Sequence, residues 1–239
     1  DSTVRKVVTL KARYGDDVDV INILFLGNSH TYYNDVPGLV EGIGKAAGKA
    51  INCEHISEGG ATIILLLAKY QEEIIAKLES ADYQYLIVQE QSSSNFLYPD
   101  AFLFAVEHLK YIVSEYDVEI LLYQTWAYEE NSSSLLNVQL TYEEMHQLVT
   151  EAYHEVSRAT GVAINPVGEV FDAFKRQYPE HRLYTDGNHA NTAGSYLSAC
   201  VHYYSLFNES LIGNEYQIYI DDDLKTLIQE FVTHYLSNE

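Results

Sequence analysis

The sequence predicts an α/β protein in which a doubly wound parallel sheet of about five strands lies between two layers of helices, a three-layer arrangement. Three observations lead to this fold class. Strand-like and helix-like patterns alternate after about residue 18, as in repeated βα units. The segment DVINILFLG, 19–27, is mostly apolar and ends in glycine, as a central parallel strand does. Polar clusters follow three predicted strands, where such sheets hold their ligands.

The first part of the chain contains three predicted strands and two predicted helices. After the strand at 19–27, the segment 36–50 has helical spacing, although several glycines interrupt it. INCEHIS, 51–57, alternates like a short strand. The segment 61–80 is apolar at its start and amphipathic later, which indicates a helix. YQYLIVQE, 83–90, is an apolar strand that ends in polar residues.

The second part of the chain continues the same alternation. A proline opens the predicted helix 99–116, and the strand 118–128 follows it. Thr141 and Glu144 form a capping-box pattern at the start of the helix 141–161, which closes on a glycine. The remaining predicted elements are a strand at 162–168 and helices at 168–178, 191–206 and 222–236.

No repeat, low-complexity tract or linker divides the chain, so residues 18–239 are predicted to form a single catalytic domain. Residues 1–17 alternate weakly, and we expect an N-terminal arm or an edge strand there. The two cysteines, Cys53 and Cys200, are too few for a disulfide framework and do not suggest a zinc site. The sequence leaves open whether they are free or bridged.

The composition excludes some classes of partner. With 14 Lys and Arg against 35 Asp and Glu, the formal charge of −21 repels phosphate backbones and argues against nucleic-acid binding. The longest apolar run, at 61–68, is far shorter than the roughly 18 residues of a membrane span. The 21 tyrosines offer flat apolar faces with polar tips, which suit sugar-like ligands, although many are expected in the core.

Candidate catalytic residues occur in separated motifs. Ser29 lies in GNSHT, directly after the first predicted strand, and Asp186 precedes His189 by three residues in DGNHAN. A serine nucleophile needs a histidine base, and a carboxylate must orient that histidine. Gly60, in EGGAT, has a backbone N–H that a substrate oxyanion could approach closely. Together these residues predict a hydrolase with a Ser-His-Asp triad.

The three motifs resemble the conserved blocks of the SGNH, or GDSL-like, hydrolase family. GNSHT at 27–31 resembles the first block, EGGAT at 58–62 the second, and DGNHAN at 186–191 the last. The resemblance spans residues 20–205 and implies a flavodoxin-like SGNH hydrolase fold. The GNSHT block further resembles a bacterial branch of the family that is found beside carbohydrate-degrading genes.

The resemblance implies a role for each matching residue. Ser29 is in the nucleophile position, His189 in that of the base and Asp186 in that of the orienting acid. Gly60 is in the position of the oxyanion glycine. Asn28 stands where many members have Asp. By contrast, an α/β-hydrolase would carry Gly-x-Ser-x-Gly and an acid far from its histidine, which this chain does not.

The third block departs from the family pattern. The family has Gly-x-Asn-Asp there, with an asparagine that donates to the oxyanion, and this chain has Gln89-Glu90-Gln91-Ser92. A glutamine side chain can make the same donation with one more methylene. We align Gln91 with the family's asparagine, and Gln89 is the alternative.

The predicted function is hydrolysis of short acyl esters, acetyl groups on carbohydrate in particular, without any metal or organic cofactor. The expected partner is a small-molecule or glycan ester, with no nucleic acid and no membrane span. The resemblance favours an extracytoplasmic location. Two alternatives stay open: an acyltransferase that uses the same triad, and a carbohydrate-binding protein on a degenerate hydrolase scaffold.

Structural interpretations of the same residues also stay open at this stage. Ser29 is a common helix N-cap residue type, and the loop with Asp186 and His189 could simply cap a helix. His30 is interpreted as structural. Trp126 and Tyr128 could pack in the core or line a pocket. Glu90 lacks the second carboxyl group that a glycosidase needs.

Overall fold

A computed structural model describes residues 19–238 of the chain, and the predicted arm at 1–17 lies outside the described residues. The strands are β1 (Ile21–Gly27), β2 (Ile51–Ser57), β3 (Tyr83–Val88), β4 (Glu119–Tyr123) and β5 (Ala163–Asn165). The helices are α1 (Ser29–Tyr32), α2 (Val36–Ala46), α3 (Ile63–Ser80), α4 (Ser94–Leu97), α5 (Pro99–Val113), α6 (Ser133–Val138), α7 (Tyr142–Thr160), α8 (Val167–Gln177), α9 (Thr192–Phe207) and α10 (Asp222–Ser237).

The five strands form one parallel sheet in the order β2-β1-β3-β4-β5, which confirms the predicted fold class. The strand order reverses at β1, because β2 lies on one side of it and β3 on the other. In open sheets of this kind a crevice forms outside the carboxyl ends of the strands at the reversal. The residues that follow β1, β2 and β3 therefore meet at one edge of the sheet.

The apolar run of β1 is explained by its burial on both faces. Ile23 and Phe25 belong to the core between the sheet and α2, α8, α9 and α10. Leu24 and Leu26 belong to the opposite core, under α3, α5 and α7. Since successive side chains of a strand point to opposite faces, both sets must be apolar.

The fourth strand is shorter than predicted, because it ends at Tyr123 and not at residue 128. Its neighbour β5 has three residues, and Pro166 after it has no N–H to continue the ladder. Beyond the paired residues of β4 and β5, the Gln124 N–H donates a hydrogen bond of 3.2 Å to the Asn165 carbonyl. Residues 124–128 are nonetheless buried, which accounts for their apolar, strand-like sequence.

The helix boundaries follow the predicted caps closely where a cap was visible. Thr141 and Glu144 form the predicted capping box at the start of α7, and Gly161 ends that helix with φ of 74°. The short helices α1, α4 and α6 were not predicted, because four to six residues are too few to show a helical period.

Cys53 and Cys200 are both buried, and neither forms a disulfide within residues 19–238, so the unbridged alternative is correct. None of the helices formed by residues 19–238 combines the length and the apolar character needed to cross a bilayer.

Candidate active site

Ser29 is positioned by the turn that leaves β1. Asn28, and not Ser29, is the N-cap of α1, since its side chain accepts a hydrogen bond from the His30 N–H at 3.1 Å. Ser29 is the first residue of the helix. Gly27 makes this turn possible, because a Cβ there would lie 2.2 Å from Thr31 Oγ1. The interpretation of Ser29 as a cap residue is therefore wrong.

The structure brings Ser29, His189 and Asp186 into one chain of hydrogen bonds. Ser29 Oγ lies 2.8 Å from His189 Nε2, and His189 Nδ1 lies 2.8 Å from Asp186 Oδ2. The ring of Tyr33 stacks on that of His189, with centroids 4.9 Å apart. The Ser29–His189 distance is within the range needed for proton transfer between a nucleophile and its base, and the Asp186–His189 distance is that of a hydrogen bond able to orient the histidine ring.

Asp186 is held in place and kept ionised by its own loop. Its Oδ1 accepts hydrogen bonds from the backbone N–H groups of Asn188, at 3.0 Å, and His189, at 2.7 Å. Partial burial by itself raises the pKa of Asp186, but the bonds from the His189 side chain and from these two N–H groups outweigh it and lower the pKa to about 2. The carboxylate is thus charged throughout the neutral range.

A second histidine, His30, contacts the loop that carries Asp186 and His189. Burial lowers the pKa of His30 to about 4, although its bond to Asn188 opposes the shift, so the ring is neutral near pH 7. His30 Nε2 lies 2.8 Å from Asn188 Oδ1, and Trp126 Nε1 donates to the Asn188 carbonyl at 3.0 Å. Trp126 also stacks on His30, with centroids 4.5 Å apart. Sequence reasoning missed Asn188, whose only signal was its place between Asp186 and His189.

Trp126 and Tyr128 are core residues, with 1% and 5% of their surface exposed. The core interpretation is correct for both, and the pocket-wall interpretation is wrong. Both residues lie in the buried segment that follows the end of β4 at Tyr123.

Two backbone N–H groups are available as oxyanion donors. Within residues 19–238, neither the Ser29 N–H nor the Gly60 N–H donates to a protein acceptor. Gly60 has φ of 68°, and a Cβ there would meet nothing within 4 Å. Its conformation, not a lack of space, is therefore what favours glycine. Asn28 ties this loop to the Ser29 turn, since Asn28 Nδ2 donates to the Ala61 carbonyl at 2.9 Å.

Gln89 is the other predicted oxyanion donor, and both ends of its amide group are bonded to protein partners. Its side chain is fully buried, and its Oε1 accepts from the Asn28 N–H at 2.9 Å and from Thr31 Oγ1 at 3.0 Å. Its Nε2 donates to the Glu90 carbonyl at 2.5 Å. Gln89 thus fastens the end of β3 to the Ser29 turn and has no surface that a ligand could reach.

Gln91 keeps its place as the predicted oxyanion donor. Its Oε1 accepts from the backbone N–H groups of Ser93, at 2.9 Å, and Ser94, at 2.8 Å. These bonds hold the amide oxygen at the start of α4. The Nε2 group has no acceptor in the described part of the chain. Its role toward substrate stays a prediction.

Glu90 is an unusual buried acid beside these residues. Only 2% of its surface is exposed, and its oxygens accept from the Gln91 N–H at 2.7 Å and the Ile63 N–H at 3.2 Å. Burial raises the pKa of Glu90 to about 7, against the opposing effect of those two bonds. Tyr153 is the titratable group in contact with it, through its hydroxyl and the Glu90 N–H, and burial raises the pKa of Tyr153 as well.

This burial gives Glu90 a measurable effect on stability. The pKa of Glu90 is about 7 in the folded protein and 4.5 as its ordinary value. The stability that the protonated carboxyl group contributes is therefore fully present below pH 4.5 and is lost as the pH rises through about 7. We expect wild type to lose about 3 kcal/mol of unfolding free energy relative to Glu90→Gln between about pH 5 and about pH 8. Urea unfolding at both pH values measures this change. Glu107→Gln, at an exposed position, is the control, and a difference equal to that of this control would contradict the expectation.

No three His, Cys, Asp or Glu side chains are grouped as metal ligands anywhere in residues 19–238. The side chains that the structure brings together at the polar edge of the sheet include those of Ser29, His189 and Asp186.

The sheet order and its flanking helices define the class of protein: the fold is that of the SGNH hydrolases. The chain belongs to DUF4886, a family described as a domain of unknown function, whose model matches residues 70–225. That range includes Asp186 and His189 and begins after Ser29 and Gly60.

Solved structures share this fold at low sequence identity. A DUF4886 family protein from Bacteroides uniformis is 20% identical, with a TM-score of 0.81 over 92% of this chain and 95% of that one. A candidate SGNH hydrolase from Slackia heliotrinireducens is 23% identical, with a TM-score of 0.68 over 79% and 100% of the two chains. The acetylxylan esterase Axe2 from Geobacillus stearothermophilus is 16% identical, with a TM-score of 0.58 over 84% and 97%. No curated protein matches the sequence.

Proposed function

We propose that the chain is a serine esterase that removes short acyl groups, acetyl in particular, from carbohydrate. The observation that supports this most directly is the continuous chain of hydrogen bonds from Ser29 Oγ through His189 to Asp186, with 2.8 Å at each step. A serine hydroxyl is a weak nucleophile unless a base in hydrogen-bond contact takes its proton.

In the proposed reaction, Ser29 Oγ attacks the ester carbonyl carbon while His189 Nε2 takes the hydroxyl proton. Asp186 keeps the other ring proton on Nδ1 and stabilises the imidazolium that forms. The negative oxygen of the tetrahedral intermediate accepts hydrogen bonds from the Ser29 and Gly60 N–H groups, with Gln91 Nε2 as the third donor.

The intermediate collapses when the C–O bond to the alcohol breaks and His189 gives its proton to the leaving oxygen. Ser29 then carries the acyl group as an ester. Water attacks this ester, His189 takes a proton from the water, and the same N–H groups hold the second oxyanion. Release of the carboxylic acid returns the proton to Ser29.

Two features support a short acyl group on a sugar. Tyr32 and Tyr33 are partly exposed, at 39% and 37%, and Tyr33 stacks on His189, so aromatic faces lie beside the reacting atoms. Such faces suit the apolar sides of sugar rings. The shared fold with an acetylxylan esterase supports the same substrate class.

The proposal is tested by labelling with diisopropyl fluorophosphate and by acetate release from acetylated xylooligosaccharides. We expect one adduct by intact mass, located on the peptide that contains Ser29, together with faster hydrolysis of p-nitrophenyl acetate than of p-nitrophenyl laurate. A protein that binds the acetylated sugar with neither adduct nor acetate release would be a binding protein on a hydrolase scaffold. Transfer of acetyl to an added sugar in preference to water would identify an acyltransferase.

A further inference from the structure

A cavity of about 190 Å³ lies beside the candidate active site. Its walls come from the start of α3, from α4 and α5, and from Glu90, the second residue after β3. The residues that matter for its chemistry are Thr62, Ile64, Glu90, Ser94, Tyr98 and Phe102. The catalytic proposal uses none of them.

Two residues next to the cavity lining form hydrogen bonds with Asn28, in the Ser29 turn. Gln89, the residue before Glu90, accepts a hydrogen bond from the Asn28 N–H. Ala61, the residue before Thr62, accepts one from the Asn28 side chain. The cavity lining is therefore connected to the Ser29 turn through the residues that precede Glu90 and Thr62.

The cavity contains an acid without a cationic partner. Glu90 is 2% exposed, and no Lys, Arg or His of the described chain forms an ion pair with it. Two backbone N–H groups use one acceptor site on each carboxylate oxygen. A carboxylate has about four such sites, so hydrogen-bonding capacity remains for a ligand. A buried charge of this kind is costly until a complementary charge reaches it.

The other walls suit the apolar part of a cation. Phe102 is buried, while Tyr98 and Ile64 are 66% and 37% exposed. Aromatic faces attract ammonium groups, most strongly where water is excluded. The formal charge of −21 further raises the concentration of cations near the surface.

From these contacts we propose that the cavity is a binding site for an organic ammonium ion, a primary amine on a short aromatic or aliphatic stem. The ammonium group donates to the Glu90 carboxylate, and the stem packs against Phe102 and Tyr98. This site goes beyond the proposed esterase function and does not depend on it.

The test is a calorimetric titration of the full chain with benzylammonium chloride at about pH 8, with benzyl alcohol as the neutral probe of the same shape. We expect one saturable site for benzylammonium and binding of benzyl alcohol at least about tenfold weaker, since the charge pair is lost. Binding should weaken at about pH 5, where the Glu90 carboxyl group is protonated.

Variants separate this site from general attraction to an acidic surface. Glu90→Gln is expected to weaken benzylammonium binding at least about tenfold, and Ala101→Phe, which fills the cavity from α5, should abolish it. Glu107→Gln, at an exposed position on the same helix, should bind as wild type does. Equal binding of the two probes, no binding, or unchanged binding in both cavity variants would overturn the proposal.

The titration is repeated on Ser29→Ala, which should bind benzylammonium as wild type does. Wild-type protein that binds the cation without hydrolysing esters would contradict only the proposed esterase function. Wild-type protein that hydrolyses esters without binding the cation would contradict only the ammonium site.

Discussion

Ser29→Ala is expected to lower kcat for p-nitrophenyl acetate by about 10³-fold or more, because the change removes the hydroxyl that carries the acyl group in the proposed mechanism. The side chain makes one hydrogen bond, to His189 Nε2 at 2.8 Å, and it is half-buried. Its loss removes one hydrogen bond between two partly exposed side chains, so the fold should be retained. Steady-state hydrolysis and the unfolding midpoint of the purified variant measure the two effects.

The matched control is Ser205→Ala, which removes an exposed hydroxyl from α9, away from the polar edge of the sheet. Its rate should equal that of wild type. Equal rates in wild type and Ser29→Ala would remove Ser29 as the nucleophile and, with it, the proposed mechanism.

Asp186→Asn is expected to lower kcat by about 10⁴-fold, through the wrong tautomer of His189. The two backbone N–H groups that point at Oδ1 require an acceptor there, so the asparagine carbonyl oxygen takes that position. The amide NH₂ group then faces His189 Nδ1 and donates to it. The ring proton moves to Nε2, and the ring can no longer accept the proton of Ser29.

This prediction separates orientation from simple charge loss. We expect Asp186→Asn to lower kcat strongly with a small change in KM, and Asp117→Asn, an exposed control, to leave both unchanged. A fall of less than about tenfold would contradict the assignment of Asp186, because the residue would then not control the protonation of His189.

The fold was predictable because burial leaves a clear pattern. The apolar run of β1 and the capping box of α7 each require particular residue types at particular spacings. The end of β4 was not predictable. Residues 124–128 are buried and include Trp126 and Tyr128, which resemble strand residues, and what ends the strand is the short partner β5 with Pro166 after it.

The candidate site was partly predictable for a related reason. Asp186 and His189 are three residues apart and belong to one loop, so their contact is local. Ser29 is 160 residues away from His189, and only the pattern of polar residues after strands indicated that the two meet. The supporting contact of Asn188 with His30 has no sequence signature, since it depends on the packing of Trp126.

By itself, the sequence determined that this chain forms a parallel α/β sheet and that Ser29, Gly60, Asp186 and His189 are its candidate site residues. Only the tertiary structure showed how the surroundings of the two glutamines differ and what lies beside them. Gln89 is buried against Asn28, whereas Gln91 turns toward the start of α4, and Glu90 between them enters an apolar cavity. The physical reason is that the direction of a side chain after a strand depends on distant segments packed around it. Such contacts produce no repeating pattern in the sequence.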